Sequence, residues 1–364
     1  MNAKWSILIL ILSISFNSQA QLLVEDSCSI NICSFNVYLL GGVDHKYKEI
    51  SIQHKDARYV RSESSYRTPD RITNCASLLS RGNFSIIVLQ EVVDGVRGDS
   101  AVADLTTSLN RISLKGYKWF TSERIGKGMR MESMAFIYDS LKVDLRKIEG
   151  KNSALIACSE PRNRKYVQTH WLSGDFDFTL ISCHFAWNDS DYFRRQADYK
   201  ELNAILHQPL EYSVDPDVIV LGDFNRFGGS HFNTDRKEYG IQQIAYDFEL
   251  FRSPHIESFD STLVQLREVH DNPYIEDPQL HSTTVSDNTM VYDTFWITSD
   301  VFEEFELENC QWNVDYGVMV YDEPNGNFYI EDLEKLTPKE LKYKYSDHRP
   351  IWMRFSTCSG KQDQ

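Results

Sequence analysis

Short apolar runs bounded by turn residues recur along the chain, and each has the length of a β-strand. They are rich in β-branched and aromatic residues, a composition that favours strands over helices. The runs that predict strands are "INICSFNVYLL", "FSIIVLQEV", "SMAFIYD", "FDFTLISCHF", "VDPDVIVLGDFN", "MVYDTFWIT" and "HRPIWMRF". The pattern therefore predicts a core built mainly from buried sheet.

Apolar residues at helical spacing separate several of these strands. Residues 68–81 carry Pro69 in a predicted first helical turn, and residues 99–112 and 189–208 each open with an Asp-Ser pair typical of a helix cap. Strands mixed with such helices predict an α/β domain in which helices cover central sheets. Two polar segments interrupt the pattern and are predicted to be insertions, residues 42–68 and the acidic, loop-like residues 301–345.

The first twenty residues have the pattern of a secretory signal peptide. Lys4 is followed by an apolar run and then by the small-residue cleavage site Ser18-Gln19-Ala20. We therefore expect residues 1–20 to be removed and residues 21–364 to be secreted as a monomer without stable membrane association. The net charge of −15 becomes −16 without Lys4. Such a surface does not attract polyanions non-specifically, so a phosphate substrate requires local basic patches or bound cations.

Seven cysteines suit an oxidising compartment, and their odd number leaves at least one without an intramolecular partner. Cys33 and Cys183 lie inside apolar runs and are predicted to be buried thiols. Cys310 and Cys358 both lie late in the chain and are our choice for a disulfide. Two sequons, at Asn83 and Asn188, are candidate glycosylation sites.

The predicted strands share an unusual ending in acidic, amide or histidine side chains. Because ligands collect where strand ends converge in layered sheet folds, we expect these side chains to form one site. Carboxylates, amides and histidines are the set that suits a hard divalent cation together with acid–base chemistry. The residues are Asn36, Glu91, His184, Asp223, Asn225, Asp293, Asp347 and His348.

The order of these motifs resembles the deoxyribonuclease I family of the endonuclease/exonuclease/phosphatase superfamily. The matching segments lie between residues 31 and 356 and are "SFNVYLL", "VLQEV", "ESMAFIY", "ISCHF", "LGDFN", "VYDTFWI" and "YSDHRPI". The resemblance implies a single catalytic domain, with the insertion at about 42–68. It also implies a four-layer αββα sandwich, in which two packed, mostly antiparallel sheets are flanked by helices.

The resemblance also implies a role for each site residue. Asn36, Glu91 and Asp347 are expected to hold Mg²⁺, with Ca²⁺ or Mn²⁺ as alternatives. Asp223 and Asn225 are expected to position the phosphate and the attacking water. Glu132 is expected to orient His184, and Asp293 to orient His348. Both assignments of general base and general acid fit the sequence, and we favour His348 as the base and His184 as the acid.

Basic residues suggest how an acidic protein contacts DNA. Arg124, Lys127 and Arg130 lie in one loop, and Arg164 matches a family arginine on the strand before His184. The stretch 44–71 adds seven Lys/Arg against five Asp/Glu, with interleaved tyrosines that suit nucleic acid. The chain departs from the family at Val93, where an arginine usually reads the minor groove.

Three functions fit these features. The first is a secreted, divalent-metal-dependent endonuclease that hydrolyses DNA. The second is a secreted phosphodiesterase of another substrate class, such as a sphingomyelinase, for which "NVYLL" is one similarity. The third is a binding protein without catalytic activity on the same scaffold. All the matched catalytic positions are filled, which favours an enzyme.

Overall fold

The computed structural model describes residues 28–41, 69–126, 132–156, 164–185, 198, 201–202, 205, 217–225, 285, 292–297 and 316–358. Within these residues the chain forms twelve strands and three α-helices with described bounds, and residues 198, 201–202 and 205 are also helical. The strands are β1 Ser29–Leu40, β2 Ile86–Val93, β3 Tyr117–Thr121, β4 Glu132–Asp139, β5 Asp144–Arg146, β6 Ala154–Ile156, β7 Tyr166–Ser173, β8 Phe176–His184, β9 Val218–Asp223, β10 Asp293–Ile297, β11 Tyr316–Val318 and β12 Ile351–Ser356. The helices are α1 Pro69–Ser80, α2 Val96–Ser113 and α3 Pro338–Lys344, with a 3₁₀ turn at Leu333–Lys335.

The strands form two sheets. The first has the order β11-β12-β1-β2-β4-β3, and the second has the order β10-β9-β8-β7-β5, with β6 also pairing with β7. Most neighbours are antiparallel, but β1 pairs with β2 and β8 pairs with β9 in parallel. These mixed sheets with flanking helices confirm the predicted fold class.

Strand β1 is buried on both faces, which explains why its sequence is apolar without strict alternation. Ile30 and Ile32 face the layer between the sheets, whereas Cys33 and Phe35 face the helices on the outer side. The inter-sheet layer contains aromatic residues from both sheets, and Phe120 stacks on Phe136 with ring centroids 4.9 Å apart. The two layers of core thus hold the first sheet in a fixed position.

The predicted helices are confirmed where the structure describes them. Helix α1 begins at Pro69, as expected from its sequence. Helix α2 begins three residues before the predicted Asp99, after Gly95 rather than at an Asp-Ser cap. Of the predicted helix 189–208, residues 198, 201–202 and 205 are described and are helical.

The prediction that residues 301–345 are a loop is wrong for parts of the described residues 316–345. This part contains β11, which extends the first sheet, and α3, which a Thr337–Glu340 capping box begins. Acidic composition concealed these elements, because a short edge strand and a two-turn helix bury few apolar residues. The insertion 42–68 lies outside the described residues.

The predicted Cys310–Cys358 disulfide is wrong, because Cys358 pairs with Cys28. The partners are 330 residues apart in sequence, yet β1 and β12 are antiparallel neighbours, with Ser29 opposite Ser356. Register therefore brings the first and last cysteines together. Cys33 and Cys183 are buried thiols, as predicted. No helix among the described residues is long and apolar enough to cross a membrane.

We expect loss of the Cys28–Cys358 disulfide to lower the free energy of unfolding by about 2–4 kcal/mol, because the bond restricts the unfolded chain. Chemical denaturation of Cys28→Ser, Cys358→Ser and the double variant measures this. All three should be equally destabilised, since each removes the same bond. Additive losses would contradict the pairing.

Candidate active site

The first sheet brings Asn36 and Glu91 to one edge of the molecule. Strands β1 and β2 are parallel, with Asn36 opposite Gln90, so their C-terminal ends lie side by side. Strand β4 is antiparallel to β2 and begins at Glu132, opposite Val93. The first residue of β4, Glu132, therefore lies at the same edge as the last residues of β1 and β2.

The second sheet repeats this arrangement. Strands β8 and β9 are parallel, and their last residues, His184 and Asp223, are direct neighbours in the register. Strand β10 is antiparallel to β9 and begins at Asp293, opposite Asp223. The packing of the two sheets then places the polar ends of six strands against one another.

A bulge in β2 gives Glu91 its position. The register shifts between Leu89 and Val92, and Glu91 has a left-handed φ of 58°. Leu89 and Val92 both belong to the core cluster under the helices, although strict alternation would put residues three apart on opposite faces. The extra residue therefore allows Glu91 to join the site beside β1.

Gly222 is the reason that Asp223 can lie next to His184. Its φ is 144°, and a Cβ there would come within 2.0 Å of the Cys183 carbonyl oxygen. Only glycine permits this approach of the two backbones. The glycine of the "LGDFN" segment is thus required by the parallel β8–β9 pair.

The Asp223 carboxylate is the centre of the site. Its Oδ2 accepts a hydrogen bond from Asn36 Nδ2 at 2.9 Å and lies 3.5 Å from His184 Nε2 and 3.8 Å from His348 Nε2. Its Oδ1 accepts a hydrogen bond from the Asn225 backbone N–H at 2.8 Å. Burial raises the pKa of Asp223, while the charge on His348 opposes this shift.

His184 is held by an acid whose charge is already balanced. Its Nδ1 lies 3.1 Å from Glu132 Oε2, and the other Glu132 oxygen forms an ion pair with Arg164. Arg164 also donates to the Phe185 carbonyl at 2.7 Å, so it joins β4 to the end of β8. Burial and the Arg164 charge lower the pKa of His184 to about 4. Neutral His184 can donate through Nδ1 to Glu132 and keep a lone pair on Nε2.

His348 has the opposite electrostatic environment. Its Nδ1 lies 2.7 Å from Asp293 Oδ2, and the Tyr292 ring centroid is 5.9 Å from its own. Burial disfavours its charged form, but Asp293 and Asp223 outweigh burial and raise the pKa of His348 to about 10. The pKa values of the two histidines are therefore shifted in opposite directions by their charged neighbours.

Asp347 has one oxygen paired and one available. Its Oδ2 forms an ion pair with Lys342, whose ammonium also lies 3.6 Å from the Tyr38 ring centroid. Its Oδ1 is buried and accepts no hydrogen bond from the residues the structure describes. A buried carboxylate oxygen without a donor is a candidate cation ligand.

The donor set fits a hard divalent cation. One donor atom each from Glu91, His184 and Asp223 lie within 4.8 Å of one another, and the same holds for Asp223, Asp293 and His348. The Asn36 amide nitrogen faces Glu91 Oε1 at 3.1 Å, and its oxygen accepts from the Tyr38 N–H.

The structure thus connects most of the predicted site residues through direct contacts. The connected residues are Asn36, Glu91, Glu132, His184, Asp223, Asn225, Asp293 and His348. Asp347 acts on them through charge, since it contributes to the raised pKa of His348.

The predicted substrate-binding residues have other partners where they are described. Arg124 is half-exposed and forms an ion pair with Asp94 at 2.6 Å. Arg164 is mostly buried against Glu132. Arg71, counted in the basic stretch 44–71, is completely buried and donates to backbone carbonyls. Lys127 and Arg130 lie outside the described residues.

Sequence reasoning missed Lys342 and Tyr292. Lys342 lies on α3, inside a segment predicted to be a loop, so nothing indicated that it could reach Asp347. Tyr292 directly precedes Asp293, the acid that contacts His348, and its ring lies next to that of His348. Its position before a predicted site acid was the only feature of the sequence that could have indicated a place in the site.

Comparisons with known proteins give no family assignment. No protein-family model and no curated protein matches the chain. It is similar to solved structures of truncated Caenorhabditis elegans TDP2 (15% identity, 90% of this chain, 97% of that chain, TM-score 0.46). It is similar to the human Nocturnin catalytic domain (14%, 90% and 94%, 0.46). A third is an endonuclease/exonuclease/phosphatase family protein from Bacteroides thetaiotaomicron (14%, 92% and 98%, 0.48).

We expect Asp293→Asn to lower the pKa of His348 from about 10 towards its ordinary value of 6.5, because the variant removes the nearest negative charge. Titration of the His348 ring by NMR in the metal-free protein measures this directly. In the wild type, the raised pKa stabilises the fold fully below about pH 6.5, and this stabilisation is lost as the pH rises through about 10. The stability advantage over the variant should shrink across that range.

Glu132→Gln is the matched control for this titration. It removes the carboxylate that contacts the other histidine, so the His348 ring should still titrate near 10. An Asp293→Asn protein whose His348 pKa is unchanged would contradict the assigned pair.

Proposed function

We propose that the chain is a secreted, divalent-metal-dependent phosphodiesterase of the endonuclease/exonuclease/phosphatase superfamily. The supporting observation is a pair of imidazoles that share one carboxylate oxygen. His184 and His348 each contact an acid through Nδ1 and present Nε2 to Asp223 Oδ2, at 3.5 and 3.8 Å. Two imidazoles that face the same carboxylate oxygen suit a reaction in which one group accepts a proton and another donates one.

Hydrolysis of a phosphodiester forms one phosphorus–oxygen bond and breaks another. The attacking water loses a proton as its oxygen bonds phosphorus, and the leaving oxygen gains a proton as its bond breaks. In this proposal His184 accepts the first proton and His348 donates the second, the reverse of the assignment favoured from sequence. The lowered pKa of His184 and the raised pKa of His348 support this direction.

The remaining site residues hold the reacting groups. When bound at Glu91 and Asp223, a divalent cation supplies positive charge against the phosphate oxygens. Asn36 holds these two carboxylates through its amide nitrogen, and Asn225 holds Asp223 from the other side. We propose Mg²⁺ for this site, because carboxylate oxygens are the ligands that it prefers.

We propose DNA as the substrate and endonucleolytic cleavage as the activity. The ordered motifs that resemble the deoxyribonuclease I family support this, as does the basic loop at 122–131. The signal-like N-terminus supports secretion, and the Cys28–Cys358 disulfide suits an oxidising compartment. A sphingomyelinase-like activity and a non-catalytic binding role are the alternatives.

One experiment separates these functions. Purified protein is incubated with plasmid DNA and with sphingomyelin, each with Mg²⁺ and with a chelator. Mg²⁺-dependent plasmid nicking supports the proposal, and sphingomyelin hydrolysis alone replaces it with the second function. If the protein hydrolyses neither substrate, nor a chromogenic phosphodiester, the third function, a binding protein without catalytic activity, is supported instead.

We expect His184→Ala and His348→Ala each to lower kcat for plasmid cleavage by about 10²–10⁴-fold, because each removes a proton-transfer group. The matched control is His170→Ala, since His170 lies on β7 and contacts Gln168 and Thr179 instead of the site. Circular dichroism verifies that each variant is folded. A folded His184→Ala or His348→Ala protein with wild-type kcat would exclude the proposed role.

We also expect charge reversal at Arg124, Lys127 and Arg130 to weaken DNA binding. Each lost phosphate contact should reduce the slope of log affinity against log salt by about 0.9. Arg124 is already paired with Asp94, so its share should be the smallest. The control is Lys335→Glu, an exposed lysine paired with Asp332.

Turnover of a small phosphodiester distinguishes binding from chemistry in these variants. It should stay at the wild-type rate, because the reacting groups lie on other strands. A wild-type salt slope in the triple variant would show that the loop does not contact DNA.

A further inference from the structure

Arg71 is a fully buried arginine in the first turn of α1, and its guanidinium binds backbone rather than surface water. It donates to the carbonyl oxygens of Val37, of Tyr38 at 3.1 Å and of Tyr345 at 3.0 Å. Two of these carbonyls belong to the end of β1, and the third belongs to the segment before β12. One side chain thus connects two segments whose residues Asn36 and Ser346 are 310 residues apart in sequence.

The carbonyls at the end of β1 require such a donor. Tyr38 and Leu39 have left-handed φ values of 43° and 55°, and the β1–β2 register shifts between Asn36 and Leu40. The backbone therefore leaves the regular hydrogen-bonding path directly after Asn36. Buried carbonyl oxygens released from a sheet need other donors, and the Arg71 guanidinium supplies them.

Ser346 adds a second connection between the same two segments. Its hydroxyl donates to the Asn36 carbonyl oxygen at 2.6 Å and accepts from the His348 backbone N–H at 3.2 Å. Asn36 holds the two carboxylates Glu91 and Asp223, and His348 faces Asp223 from the other side. The connected segments are therefore those that carry opposite sides of the site.

We propose that Arg71 is a positioning residue, which sets the separation of Asn36 from Asp347 and His348 without touching substrate. This inference rests on the proposed function, because it assigns Arg71 a place in that site. The planar guanidinium donates in fixed directions, so it can bridge carbonyls of two segments, whereas an ammonium cannot reproduce this fork. Displacement of reacting groups by about 1 Å can lower a rate by about 10²-fold.

The test compares Arg71→Ala with Arg81→Ala. Arg81 follows the same helix and likewise donates to two backbone carbonyls, those of Phe328 at 3.3 Å and Tyr329 at 3.1 Å, away from the site. We expect Arg71→Ala to lower kcat for a chromogenic phosphodiester by about 10²-fold at unchanged KM. Arg81→Ala should keep wild-type kcat. Wild-type kcat in Arg71→Ala, or equal losses in both variants, would overturn the proposal.

Two further measurements separate positioning from general destabilisation. Guanidinium or ethylguanidinium at low concentration should restore part of the kcat of Arg71→Ala, because it fits the space that the side chain leaves. It should not change the kcat of Arg81→Ala. Failure of rescue would overturn the assignment. If Arg71→Ala does not fold, Arg71→Lys replaces it, and wild-type kcat in that variant would overturn the proposal.

Hydrogen exchange tests the connection made by Arg71 without an activity measurement. Arg71→Ala should lose protection of backbone amides in both 30–41 and 341–350, whereas Arg81→Ala should lose it only around 328–330. Unchanged protection in either of the first two segments would refute the connection. If the wild type hydrolyses no phosphodiester, the proposed function fails and this measurement still decides the role of Arg71.

Discussion

The parallel pairing of β1 with β2 and of β8 with β9 is the constraint on which the site depends. Parallel neighbours end at the same edge, and each sheet has one such pair near its middle. When the sheets pack face to face, both edges coincide, and antiparallel β4 and β10 then begin where the parallel strands end. Polar side chains at strand ends consequently meet at the rim of an apolar layer. There they lose water but keep one another as partners, which is the condition under which buried charges remain stable.

Much of the fold and of the site follows from strand-length runs with polar ends. The strands that carry Asn36, Glu91, His184 and Asp223 have apolar cores that only burial between layers explains. The helix that begins at Pro69 was predictable from spacing and proline. What sequence could not provide was three-dimensional register. We chose Cys310 as the disulfide partner of Cys358 because the two are close in sequence. Sequence distance does not predict the true partner, Cys28, because β12 pairs with β1. Short elements such as α3 were also not predicted, since a helix of two turns buries too few apolar residues to give a periodic hydrophobic pattern.

Charge placement explains why individual roles were harder to predict than their location. The sequence predicts one carboxylate partner for each histidine, and the structure shows both contacts, so the two histidines looked equivalent. Burial lowers the pKa of both, and Arg164, which neutralises Glu132, lowers that of His184 further, whereas Asp293 and Asp223 raise that of His348. Arg164 was assigned to substrate from its position on the chain. Arg124 and Arg71 illustrate the same limit, because a count of basic residues does not say which carbonyls or acids already hold them.

The Cys28–Cys358 bond has a consequence for how the protein tolerates proteolysis. It converts almost the whole described chain into a covalent ring, closed beside a strand pair whose register it reinforces. A single protease cut anywhere inside that ring opens it but releases no fragment, so both sides of the cut stay attached to the same two sheets. For a protein that we propose to act outside the cell, this means that an exposed loop can be cleaved while the strand ends that form the site remain tethered to one another.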